Sequence, residues 1–197
     1  MASATNKVRF GISNVKYALE TENGFGAWKP LAGAVSVSFE PQGSQSIFYA
    51  DNMGYYVQNP AAQDQISIEL ADLTDEAKKD LLGYVQDETS GLLYEPVNAT
   101  RKAFAMGYQV EGDGTTLRGV RYGGTLSRPS ESHSTTNESS DPNTQTIEGT
   151  FVGKKFTINK EDIAIIGAAC TNAGETHEAY DKFWNAVPTP GVAPASA

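Results

Sequence analysis

The residues best suited to chemistry are few and scattered. The 197-residue chain carries two histidines, His133 and His177, and one cysteine, Cys170. The histidines stand far apart and match neither the HExxH nor the HxxxH spacing that sets two imidazoles on one helix face for a metal. His133 sits among Ser, Thr and Asn, where a solvated side chain is the plain reading, and no third member of a catalytic group accompanies His177. A single cysteine excludes an intrachain disulfide and a Cys-rich zinc site. Residues 163–169 ahead of it are apolar, so Cys170 reads as a buried, inert thiol in a protein made in a reducing cytoplasm. No Walker loop, GxSxG elbow or GxGxxG turn after a strand occurs. Glu111-Gly112-Asp113-Gly114 lacks the alternating ligands and final Glu of a calcium loop and reads as a tight turn. No enzyme, cofactor or metal site is expected.

Charge points the same way. The net charge is −9, and the basic residues form doublets at most, Lys78-Lys79 and Lys154-Lys155. A nucleic-acid grip needs a basic patch; an acidic chain near DNA would repel it. Arg118, Arg121 and Arg128 come close together around Tyr122, a mixture that reads single strands elsewhere. Nothing extends that patch, so pairing with neighbouring carboxylates is the favoured reading. No run of about 18 apolar residues occurs, and no apolar stretch follows a basic start, so neither a membrane span nor a secretory signal is expected.

The elements that position these residues are mostly strands. Period-two alternation recurs: Val35, Val37 and Phe39 against Ser36, Ser38 and Glu40; Ile66, Ile68 and Leu70 against Ser67 and Glu69; Ile147, Gly149 and Phe151 against Glu148 and Thr150. Phe104, Met106, Tyr108 and Val110 alternate with Ala105, Gly107 and Gln109, and Val120 and Tyr122 with Arg121 and Gly123. Each strand is expected to bury one face and show a small or polar one. Residues 8–18 are a weaker strand, broken by Gly11 and Asn14. Asn23-Gly24, residues 111–114 and Ser90-Gly91 mark hairpins. Thr74 as N-cap, Asp75 and Glu76 in the first turn and Gly83 as terminator define a helix over 74–83. A second short helix is expected over 175–187, with Ala179, Phe183 and Val187 on one side and Pro188 as the stop.

Three segments resist assignment to regular structure. Residues 129–144 are polar and read as a mobile surface loop, and the Pro-rich 188–197 as an extended C-terminal arm. Residues 42–62 carry Phe48, Tyr49, Tyr55 and Tyr56 without clean alternation. Such a segment makes a sticky patch on a soluble monomer, so it either folds back or is buried in a partner.

As a set and in order, several blocks resemble the major tail tube protein family of long-tailed, non-contractile bacteriophages. They are residues 6–11 (NKVRFG), 14–18 (NVKYA), 30–36 (PLAGAVS), 48–56 (FYADNMGYY), 78–83 (KKDLLG), 101–105 (RKAFA) and 125–130 (TLSRPS). The resemblance implies a mainly β fold: a β-sandwich or partial barrel over residues 1–187 with one flanking helix, a stacking loop at 42–62 and terminal arms. It also implies hexameric rings stacked into a tube in the virion. Inner strands of neighbouring copies would join edge to edge around a channel through which DNA passes at ejection. The implied partners are further copies of the chain, a tape measure protein and other tail proteins, with only transient, non-specific contact to DNA and none to membrane. Within it, Ser36, Ser38, Glu40, Ser67, Glu69 and Glu148 are expected to include channel-facing positions. Phe48, Tyr49, Asp51, Asn52, Tyr55 and Tyr56 are expected to contact the next ring. The competing readings are a carbohydrate- or receptor-binding β-sandwich, with Trp28 and exposed tyrosines stacking on sugars, and a tail terminator or head decoration subunit.

Overall fold

The structure, a computed structural model, describes residues 8–43, 46–50, 52–58, 63–130 and 144–191. The chain is mainly β. Its strands are β1 (Arg9–Thr21), β2 (Gly24–Phe25), β3 (Lys29–Pro30), β4 (Ala34–Gln42), β5 (Ser46–Ala50), β6 (Met53–Gln58), β7 (Gln63–Leu70), β8 (Val85–Gln86) and β9 (Leu93–Tyr94). After these come β10 (Phe104–Gly112), β11 (Leu117–Leu126), β12 (Gln145–Phe151), β13 (Lys154–Ile158), β14 (Glu161–Ile165) and β15 (Gly167–Thr171). One antiparallel sheet runs β2-β1-β10-β11-β12-β7-β4, with β15 added beside β11 and β3 beside β1. Three small hairpins, β5–β6, β8–β9 and β13–β14, stand apart from it in pairing. The sheet curls without closing, so β4 faces the start of β1 across a cleft.

Two apolar cores lie on opposite sides of this sheet. Inside the curl, Tyr17, Ile66, Ile68, Leu70, Phe104, Met106, Leu126, Ile147 and Phe151 form the main core, capped by Leu81 and Leu82. On the outer side of β1, β10 and β11, Ala18, Ala105, Val120 and Tyr122 pack against Phe183 and Val187 of the C-terminal segment. This corrects the expectation of one solvated face on β10 and β11. The small residues on β10 are small because aromatic rings cover them: a Cβ on Gly107 would stand 2.8 Å from both Trp28 and Trp184. Val120 and Tyr122 point to this second core, while Arg121 turns inward to Asp64 and the Phe39 ring.

The helix expected over 74–83 starts and stops where its caps say. The Thr74 hydroxyl accepts from the Ala77 N–H at 3.3 Å, and Gly83 closes it at φ 76°. Between them the chain makes one α turn, α1 (Asp75–Ala77), and then a π turn over Lys78–Leu82 that buries Leu81 and Leu82. Asp80 ties it to the sheet, accepting from Tyr17 Oη at 3.0 Å and Lys29 Nζ at 2.6 Å, and Lys29 also meets Glu76 at 2.7 Å. The second helix is shorter than expected. A 3-10 turn (Gly174–Thr176) leads into α2 (His177–Lys182), on which Ala179 is exposed; Phe183 and Val187 are buried just past its end. Of the arm expected over 188–197, Pro188 is fastened to the body through its carbonyl, which accepts from Tyr122 Oη. Residues 192–197, like 131–143 of the polar loop, lie outside the described residues.

Candidate functional site

The sheet register gathers the six polar strand residues onto one surface. Ser36 of β4 lies opposite Glu69 of β7, Ser38 opposite Ser67, and Glu40 opposite Gln65. Across the next ladder Glu69 faces Thr146, Ser67 faces Glu148, and Gln65 faces Thr150. On β11, Thr125 pairs with Thr150, and the Ser127 N–H donates to the Glu148 carbonyl at 2.7 Å. The surface is therefore three rows deep and up to four strands wide. Its back is Val37, Phe39, Ile66, Ile68, Ile147 and Phe151 of the main core. Side chains alternate across a pleat, which is why the polar set ends up on the opposite side from these residues.

Among the described residues the surface is acidic and carries no cation. Glu40, Glu69 and Glu148 are its charged residues, each on a different strand and in a different row. Like charges set directly opposite each other across a ladder destabilise it, and this staggering avoids that. Glu69 is held by two hydroxyl donors, Ser36 Oγ at 3.2 Å and Thr144 Oγ1 at 2.8 Å. Both flanks of the surface are open strand edges among the described residues. β4 pairs only with β7, and β11 beyond Gly124 runs past the start of β10, where Phe104 is the last partner.

One strand residue departs from the sequence pattern. Ala34 pairs with Leu70 and Ser36 with Glu69, so Val35 is an extra residue on β4. A bulge breaks the alternation. Val35 consequently does not join Val37 and Phe39 in the core; it stands 55% exposed beside the cleft.

The aromatic segment is ordered as a hairpin, where irregular structure was expected. Ile47 pairs with Val57, Phe48 with Tyr56 and Ala50 with Met53, leaving a two-residue turn in which Asn52 takes φ 61°. Asp51 lies outside the described residues. The register slips between Phe48 and Tyr49, opposite Tyr55, and this bulge hid the strands from a period-two reading. Phe48 is 63% exposed, Tyr55 77% and Tyr56 61%, and Ile47, Tyr49, Met53 and Val57 are exposed as well. None of these residues belongs to either core. The hairpin is the connection from β4 to β7, attached at their Gln42/Gln63 ends.

The remaining candidates resolve into structural roles. Trp28 is packed between Phe183 and Trp184 and its indole N–H donates to the Phe183 carbonyl at 3.3 Å, so its ring is not presented for stacking on a sugar. Arg128 pairs with Glu95 at 2.6 Å, and Arg121 Nε lies 3.1 Å from Asp64 in an ion-pair contact that is not aligned as a hydrogen bond. Arg118 instead clamps the C-terminal segment: its guanidinium lies 3.8 Å from the Tyr180 ring centroid and donates to the Tyr180 carbonyl at 2.6 Å. Burial pushes the Cys170 thiol above its ordinary pKa, against the character of a nucleophile. His177 meets Asp181, one turn on, at 3.7 Å on the surface, and His133 lies outside the described residues. Among the described residues no group of three or more potential ligands is placed to hold a metal, and no helix is long and apolar enough to cross a membrane.

No family model matches the chain, and no curated protein matches it. One solved structure that the fold resembles is the tube terminating cap of the anti-feeding prophage, at 12% sequence identity and a TM-score of 0.44, covering 87% of this chain and 99% of that one. A likeness of that size carries no argument about function.

Proposed function

We propose that this chain is a structural subunit of a phage tail tube, acting by self-assembly into stacked rings rather than by catalysis. The observation that carries this reading is the cation-free polar surface bounded by two open strand edges. An open edge is a template for pairing with another chain, and closure into a barrel removes it. Joining the β4 edge of one copy to the β11 end of the next would satisfy both. It would also turn the surface carrying Ser36, Ser38, Glu40, Ser67, Glu69 and Glu148 towards a common channel. Apolar residues behind that surface keep it rigid, and carboxylates on it repel a passing nucleic acid instead of binding it. The resemblance of several sequence blocks to major tail tube proteins supports the same reading, with the hairpin β5–β6 as the contact to the following ring. On this reading the other tail proteins and the tape measure protein are partners, and the assembled virion is where the protein works.

Negative-stain images of the purified full chain across a concentration series test it. Rings or tubes with an axial hole are the expected result. A monodisperse monomer at the highest soluble concentration would remove the proposal.

A further inference from the structure

We propose that the apolar cleft between β4 and β1 is the receptor for the hairpin β5–β6 of a second copy. This rests on the tube reading and names the surface onto which the following ring docks. The cleft, about 460 Å³, is walled by Phe10, Ile12, Val37, Phe39, Tyr108 and the bulged Val35. Phe10 is 73% exposed, so part of this apolar wall faces water. No wall residue is charged.

The hairpin matches the cleft in chemistry and extent. The sequence of residues 46–58 carries one charged residue, Asp51, and apart from Asn52 the residues of the hairpin described as exposed are aromatic or aliphatic. An aromatic side chain buries roughly 150–250 Å². With about two-thirds of each still exposed, three of the four hairpin aromatics supply about 300–500 Å², a large share of the roughly 800 Å² per partner of a stable interface, and Ile47, Met53 and Val57 are exposed beside them.

Position sets the occupant. The hairpin leaves β4 after Gln42, while Val35 lies seven positions earlier on the same strand, about 23 Å away at the usual rise. Donor and receptor are thus different surfaces displaced along one strand axis. Such a contact is heterologous: each copy donates at one end and accepts at the other, and the series does not close after two copies. A bulge at Val35 serves this arrangement, because regular alternation would have turned that side chain into the core.

The test uses two full-length variants that each lose one half of the contact. Val35→Arg blocks the receptor and keeps the hairpin; Phe48→Ser with Tyr56→Ser disarms the hairpin and keeps the receptor. Each alone should need more than about tenfold more protein to assemble than the unsubstituted chain, because both changes fall on anchor residues. Mixed together they should form a two-tier complex that grows no further, since its outward surfaces are both inactive. Sedimentation velocity and electron microscopy read this directly. If Val35→Arg assembles at the normal concentration, or if the mixture stays unassembled, the receptor is elsewhere. If the unsubstituted chain forms no polymer, the tube reading itself fails. Should Val35→Arg not fold, Val35→Cys and Tyr56→Cys copies are mixed and mildly oxidised. Cross-linking between them supports the docking, and its failure overturns it.

Discussion

Replacing Phe48 and Tyr56 together by serine separates what the hairpin does for its own subunit from what it does between subunits. The two residues are cross-strand partners, 63% and 61% exposed, and belong to neither core. Full burial of a large apolar side chain contributes about 1.5–3 kcal/mol. With roughly six-tenths of each still exposed, burial by a second copy is worth about 1–2 kcal/mol per residue, or ~2–4 kcal/mol for the pair. That is roughly a 30- to 700-fold change in the association constant. Within the subunit the substitution removes one cross-strand pair, worth about 0.2–1 kcal/mol. Urea unfolding of dilute protein should therefore change by less than about 1 kcal/mol, while a sedimentation concentration series shifts by more than an order of magnitude. The reverse pattern, a large loss of subunit stability with unchanged assembly, would refute the reasoning by placing the hairpin on its own body.

Three further outcomes are expected. Changing Glu40 and Glu148 to Lys should leave the fold intact and give assembled tubes that retain DNA at low salt and release it steeply as salt rises; tubes that still ignore DNA would take these residues off the channel. Replacing Asp64 by Ala strips the partner from Arg121, whose guanidinium lies 4.9 Å from the Phe39 ring, and should cost about 3 kcal/mol in chemical denaturation. A loss below about 1 kcal/mol would mean that water already screens the pair. Alkali should destabilise the protein: burial, and for Tyr17 also the Asp80 hydrogen bond, raise the Tyr17 and Tyr122 pKa values in the folded state. The unfolded chain then loses these protons first, so stability is full below about pH 10 and falls above it, by up to about 1.4 kcal/mol per pH unit for each tyrosine. Tyr17→Phe should reduce that slope, and a flat profile between pH 8 and 11 would contradict the burial.

Local signals were legible and long-range ones were not. The six polar strand residues could be picked out because one face of β4, β7 and β12 is solvated and the other is core, so the alternation survives in the sequence. Thr74 and Gly83 bounded their helix because caps act within one turn. The π turn between them was invisible, since it is set by how Leu81 and Leu82 meet the core. The hairpin β5–β6 escaped because both of its faces carry apolar residues and a bulge interrupts it. The hairpin β13–β14 escaped too, because its turn uses Asn159-Lys160, both at positive φ, without a glycine to mark it. The second core depends on Trp28 and Trp184 reaching Gly107 from segments distant in sequence, and a small residue alone cannot say whether water or a ring lies over it.

The staggering of Glu40, Glu69 and Glu148 also fixes how charge is spaced. With strands about 4.8 Å apart and alternate residues about 6.8 Å apart, their Cα atoms stand roughly 8, 12 and 14 Å from one another. The shortest of these is about one Debye length at physiological ionic strength. Glu40 stands farther from both of the others than Glu69 and Glu148 stand from each other, so the charge is spread along the surface rather than gathered at one point. If the surface lines a channel, as proposed, a polyanion travelling along it would meet repulsion distributed over its length.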